Sequence, residues 1–165
     1  MAGYDHRPLA GIGGWLTFFL VVIGILSPLR ILFETIQVHL DENAAAAVGD
    51  SWALLISLEW LLSGSQLAGL AYIVWRMINV QVWQSVRITI AGLWIISFAI
   101  PLVEVGIVIV VGGFGFGEML AGTGPDWIRS LIFCAIWSAY LLRSERVANT
   151  YPAATDRAEV AEVFS

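Results

Sequence analysis

Gly11-Ile12-Gly13-Gly14-Trp15-Leu16-Thr17-Phe18-Phe19-Leu20-Val21-Val22-Ile23-Gly24-Ile25-Leu26-Ser27-Pro28-Leu29-Arg30-Ile31-Leu32-Phe33-Glu34 is an apolar run that carries ionisable side chains only near its end. A helix rises about 1.5 Å per residue, so roughly 20 such residues cross the 30 Å hydrocarbon layer of a bilayer. Three more apolar segments follow. Helices are expected at about 9–37, 52–76, 87–111 and 127–143, forming one domain over 9–151 between a leader, 1–8, and a tail, 152–165. The expected class is all-α: an integral membrane four-helix bundle.

Composition points the same way. Of 165 residues, 59% are hydrophobic and 13% charged, about half the charge of an ordinary soluble domain at about 25%. All eight basic residues are Arg, and they are scattered; nucleic acid needs a concentrated basic patch. The single cysteine, Cys134, lies inside the last apolar segment as a small packing residue and permits no internal disulfide. A secretory signal does not fit the first segment, which is too long and lacks a small-x-small cleavage pattern. It reads as a retained helix.

The arginines set an orientation. Arg7, Arg76, Arg87, Arg143, Arg146 and Arg157 fall in the leader, the second connection and the tail, whereas the other two connections carry none. Basic loops stay in the cytoplasm, so both termini are expected there. No internal sequence repeat is visible. The tail ends in an apolar stretch, 160–164, and is read as disordered or as a short surface helix.

Five ionisable residues interrupt the apolar segments: Arg30, Glu34, Glu59, Glu104 and Arg129. All five are expected in the outer half of the bilayer. Ser27, Arg30 and Glu34 are spaced i, i+3, i+7; Glu59, Ser63 and Gln66, like Ser97, Pro101 and Glu104, are spaced i, i+4, i+7. Each trio therefore lies along one helix face. Pro28 and Pro101 remove the helical partners of the Gly24 and Ser97 carbonyls, which predicts kinks and locally polar backbone. Charge in a membrane is costly, so the five should face inward and pair, with Arg30 and Arg129 set against the three Glu. One carboxylate is then left over, to be protonated or to face water. The cluster reads equally as a site for a cation, a proton or a polar solute and as a polar lock between helices.

Other signals are weaker. Ser65 and Gly69, Gly64 and Ala68, and the stripe Ser130, Cys134 and Ser138 read as packing seams. The tryptophans near helix ends suit an interfacial belt. His6 and His39 are isolated, so neither a metal centre nor a Ser-His-Asp arrangement is expected. The glycines at 11, 13 and 14 lack the Lys-Ser/Thr of a phosphate loop. No cofactor is expected, and no enzyme activity is argued.

Two stretches carry a family resemblance. Gly11-Ile12-Gly13-Gly14-Trp15-Leu16 with Ser27-Pro28-Leu29-Arg30, and Ile136-Trp137-Ser138-Ala139-Tyr140-Leu141-Leu142-Arg143-Ser144-Glu145-Arg146-Val147-Ala148-Asn149-Thr150-Tyr151, resemble the opening and closing signatures of the bacterial membrane family called domain of unknown function 2569. Ala139 stands where that pattern leads one to expect Pro, and Tyr151 where it leads one to expect Phe. The resemblance implies a multi-pass bacterial inner-membrane protein of four helices and brings no catalytic residue. It draws attention to Ser144, Arg146 and Thr150 after the fourth helix, read first as a helix cap tied to lipid headgroups and second as a docking point.

Two functional classes follow. The first is a non-catalytic accessory, scaffolding or assembly subunit of a larger membrane complex, motivated by short loops and packing stripes, with other membrane subunits or a homo-oligomer as partners in the lipid bilayer. The alternative is a small-solute or proton-linked transporter using the intramembrane carboxylates.

Overall fold

The computed structural model describes residues 10–153; the expected leader 1–8 and all but the first residues of the expected tail lie outside them. The described residues are helical with no strand. In chain order the helices are α1 (Trp15–His39), the short α2 (Glu42–Val48), α3 (Trp52–Asn79), α4 (Trp83–Gly112), α5 (Phe116–Arg143) and the short α6 (Glu145–Thr150). A single turn of π-helix interrupts α1 at Val22–Leu26 and α4 at Ile95–Ala99.

Several boundaries differ from expectation for local reasons. α1 starts at Trp15, not near residue 9, because Gly14 sits at φ 57° and ψ −131°, a conformation closed to helix and open to glycine. α2 breaks the expected loop at 39–50, capped by the Asp41 carboxylate, which accepts from the Asn43 and Ala44 amides at 3.0 Å each. α3 continues to Asn79 and α4 opens at Trp83 rather than 87. α5 starts at Phe116 rather than 127, turning part of an expected glycine-rich loop into helix. The Glu118 carboxylate caps its start by accepting from the Gly115 amide. Pro125 inside it removes only the bond to the Ala121 carbonyl.

Among the described residues, three helical stretches are long and apolar enough to cross a membrane: Trp15–His39, Glu42–Asn79 and Trp83–Gly112. Four were expected. α5 is 28 residues long, but Glu118, Asp126 and Arg129 leave its uncharged part at Ser130–Leu142, short of the roughly 20 residues a span needs.

α3 packs against both α1 and α4, and α5 packs against α4. The dry core fills one half of the molecule, where α1 starts, α3 ends, α4 starts and α5 ends. Leu16, Phe19 and Ile23 meet Leu70, Ile73 and Met77, with Val86 and Leu93 beside Cys134, Trp137 and Leu141. Trp137 lies at its centre, its ring 4.7 Å from Phe19 and 5.7 Å, edge to face, from Tyr140. In lipid, helices gain more from close packing than from leaving water. Small residues provide it: a Cβ on Gly69 would lie 3.1 Å from Ile96, and one on Gly92 only 2.6 Å from Ile73. The opposite half of the molecule carries polar side chains between the helices beside an apolar pocket.

Candidate functional site: a polar cavity between the helices

α3 has no break, and its inward face keeps one heptad rhythm. Glu59, Ser63, Gln66, Leu70, Ile73 and Met77 follow one another at alternating steps of four and three, so the dry seam turns polar without leaving the face. Ser63 and Gln66 are buried and Glu59 is half-buried.

α1 and α4 behave differently. Because Pro28 has no N–H, the chain before it takes a wider turn in which the Ser27 amide donates to the Val22 carbonyl, five residues back. Before Pro101 the Ile100 amide donates to Ile95 in the same way. Each wide turn adds one residue to the helical register, so the inward phase arrives one residue late. In α1 the buried place belongs to Thr35, 1% exposed, and not to Glu34; in α4 it belongs to Val105, 8% exposed, and not to Glu104. The charged residues of both helices are thereby moved from the seam to its flank.

Hydrogen bonds join the three polar stripes. The Thr35 and Ser63 hydroxyls lie 2.6 Å apart, linking α1 to α3. The Gln66 amide donates to the Glu104 carboxylate at 2.6 Å, linking α3 to α4. Of the two ion pairs here, one falls within the set that the sequence suggested and the other does not. Arg30 donates to Glu34 at 2.6 Å, one turn along α1, with both side chains more than half exposed. Arg129 donates to Asp126 at 2.9 Å on α5, an acid outside the expected five. Pairs three or four residues apart on one helix form with little extra ordering of the chain. Among the described residues, no Arg pairs with Glu59 or Glu104.

These groups line a cavity of about 230 Å³ whose walls include Arg30, Glu34, Glu59, Gln66, Glu104 and Asp126. A second space of about 420 Å³ shares Arg30, Glu34, Gln66, Ser97 and Pro101 with it and adds Arg129. All five expected residues therefore lie on these two linked spaces, and Thr35 and Asp126 join them. The sequence signal for Thr35 was Pro28, whose wide turn moves the phase. Such a space has room for several waters, whose share of liquid volume is about 30 Å³ each. A half-buried carboxylate without a fixed counter-charge can hold a proton or a cation there.

The motif after α5 closes the other end. Ser144 caps α6, accepting from the Val147 amide at 3.5 Å. Thr150 accepts from the Gly11 amide at 2.9 Å and donates to the Arg146 carbonyl at 2.7 Å, so the start and end of the domain are tied to each other. The Arg146 guanidinium rests on Gly13, where a Cβ would come within 2.6 Å of it. Tyr151, fully buried, donates its hydroxyl to the Met77 carbonyl at 2.6 Å, and the Trp83 amide donates to Pro152 at 3.3 Å. Thr150 thus ties the chain to itself, and Tyr151, which the sequence had not singled out as a site, completes the clasp. Burial pushes the Tyr151 phenol up to about 12.

An all-α fold with three helices, among the described residues, of the length and apolarity of membrane spans is of the helical, membrane-like class. More narrowly, the chain belongs to the family described as Protein of unknown function (DUF2569), which matches residues 9–152 and so takes in both the clasp and the cavity. No curated protein and no solved structure matches it.

Proposed function

We propose that this protein crosses a bacterial inner membrane four times with both termini cytoplasmic, and that its polar cavity binds a small cation as part of a small-solute or proton-linked carrier. Arg76, Arg87, Arg143 and Arg146 gather at the clasp end of the helices, while Asp41, Glu42, Asp50 and Glu118 lie toward the cavity end, an asymmetry that supports a cytoplasmic clasp. In this arrangement α5 crosses too, with Asp126 on the wall of the cavity and Arg129 on that of the adjoining space.

One observation carries the reading: Glu59 and Glu104 line the cavity while both neighbouring arginines are engaged by other acids. A polar lock would direct its arginines at those two carboxylates. Four helices are few for alternating access, so a second copy is the natural companion. The accessory-subunit reading has its support in the short connections, and co-purification with a larger complex at fixed stoichiometry is its own test.

The test of the carrier reading is charge displacement in proteoliposomes on a solid-supported membrane, with a panel of ammonium ions and a pH step. Wild type should give a saturable current. Glu59→Gln and Glu104→Gln should abolish it while leaving folded yield and unfolding midpoint unchanged. Signals no larger than those of protein-free liposomes, or reduced folded yield in both variants, would return the cluster to a packing lock.

A further inference from the structure

Resting on that reading, we infer that the cation is amphiphilic: a monovalent ammonium head carrying an aliphatic chain of limited length. Glu59 and Glu104 each border two spaces of opposite character. On one side is the polar cavity; on the other is an apolar pocket of about 180 Å³, walled by Leu55, Ile56, Leu62, Ile107, Val108 and Met119. Apart from these two acids, the side chains around the apolar pocket carry no charge.

That placement selects its occupant by charge complementarity. A simple inorganic cation would use the carboxylates and leave the apolar pocket empty. A neutral lipid chain would fill the pocket but oppose two carboxylates with no counter-charge. An ammonium group against Glu59 and Glu104, with its alkyl chain among Leu55, Val108 and Met119, meets both surfaces at once. Primary and quaternary ammonium ions share this chemistry, and the occupant is the soluble amphiphile, not a lipid headgroup.

The experiment is equilibrium dialysis of the full-length protein in phosphatidylglycerol nanodiscs, whose headgroups carry no ammonium, against radiolabelled alkyltrimethylammonium ions of increasing chain length, with empty discs subtracted. Wild type should bind saturably, tightening about fourfold per added methylene until the pocket is full. Val108→Phe, which narrows the apolar pocket alone, should flatten this dependence and keep tetramethylammonium binding. Glu104→Gln should abolish binding at every length. Tetramethylammonium binding as tightly as the long chains would overturn the inference and leave the cation-binding reading standing. Dodecanol binding equally well, unaffected by Glu104→Gln, would overturn it by making the pocket a lipid site. Binding that disappears when phosphatidylethanolamine is added to the discs would overturn it in favour of the headgroup. No saturable binding at any length would also overturn it, the carrier reading then being judged on its own currents.

Discussion

Replacing Tyr151 by Phe removes one oxygen atom from the clasp and little else. The hydroxyl donates at 2.6 Å to the Met77 carbonyl, and the ring is fully buried. Met77 lies among the last four residues of α3, whose carbonyls have no partner within the helix. Tyr151→Phe therefore leaves a buried acceptor unsatisfied, at a cost of about 1–3 kcal/mol. Tyr151→Ala also loses the ring and should cost about 3–5 kcal/mol. Reversible unfolding in mixed detergent micelles, followed by tryptophan fluorescence, gives both values. A pH series adds a signature that packing alone would not produce. The folded-state phenol titrates at about 12, above the ordinary value near 10. Its contribution is fully present below pH 10 and is lost as pH rises from about 10 toward 12, because only the unfolded chain can release the proton in that window. Tyr151→Phe should flatten the wild-type decline over that range. A cost below a few tenths of a kcal/mol, or an unchanged alkaline decline in the variant, would refute the clasp as described.

Three further outcomes follow from the same geometry. Thr150→Val keeps the shape but breaks the ties to Gly11 and Arg146, so it should lose about 1–2 kcal/mol in the same unfolding assay, with Thr150→Ser recovering most of the loss. Gly14→Ala places a side chain at φ 57° and ψ −131° and should cost about 1–3 kcal/mol, whereas Gly64→Ala, whose added methyl meets nothing within 4 Å, should be neutral or slightly stabilising. Ile73→Ala opens a hole in the dry half, 2% exposed in the native protein, and should lower stability by about 2–5 kcal/mol with the cavity carboxylates untouched, as an unchanged cation-binding stoichiometry would show.

The helices and the polar stripe of α3 were legible because nothing in α3 disturbs the 3.6-residue rhythm on which such reading rests. Glu59, Ser63 and Gln66 face where their spacing put them. In α1 and α4 the same spacing put Glu34 and Glu104 on the seam, where Thr35 and Val105 are buried instead. A wide turn before each proline adds a residue that counting along the sequence does not register. Pro28 and Pro101 signalled a disturbance; its sign, one residue added, depends on how the freed carbonyl is accommodated in three dimensions. Distant pairing was equally hidden. Arg129 has a carboxylate three residues away in Asp126, and a local partner of that kind prevails over the distant Glu that sequence spacing suggested. The clasp was visible as a motif but not as a mechanism, since Gly11 and Thr150 meet only because α1 and α5 bring the two ends of the domain together.

The displaced register is the central claim, because it turns three seam-facing stripes into a cavity wall with two carboxylates free of arginine. Thiol accessibility tests it most directly. Single cysteines at positions 34, 35, 104 and 105 would be treated in membranes with a charged methanethiosulfonate reagent, the native Cys134, fully buried, serving as the unreactive internal reference. Glu34→Cys and Glu104→Cys should react readily, and Thr35→Cys and Val105→Cys should be protected. Reaction at 35 and 105 with protection at 34 and 104 would mean that both helices keep an unbroken register, and the cavity as described would not exist.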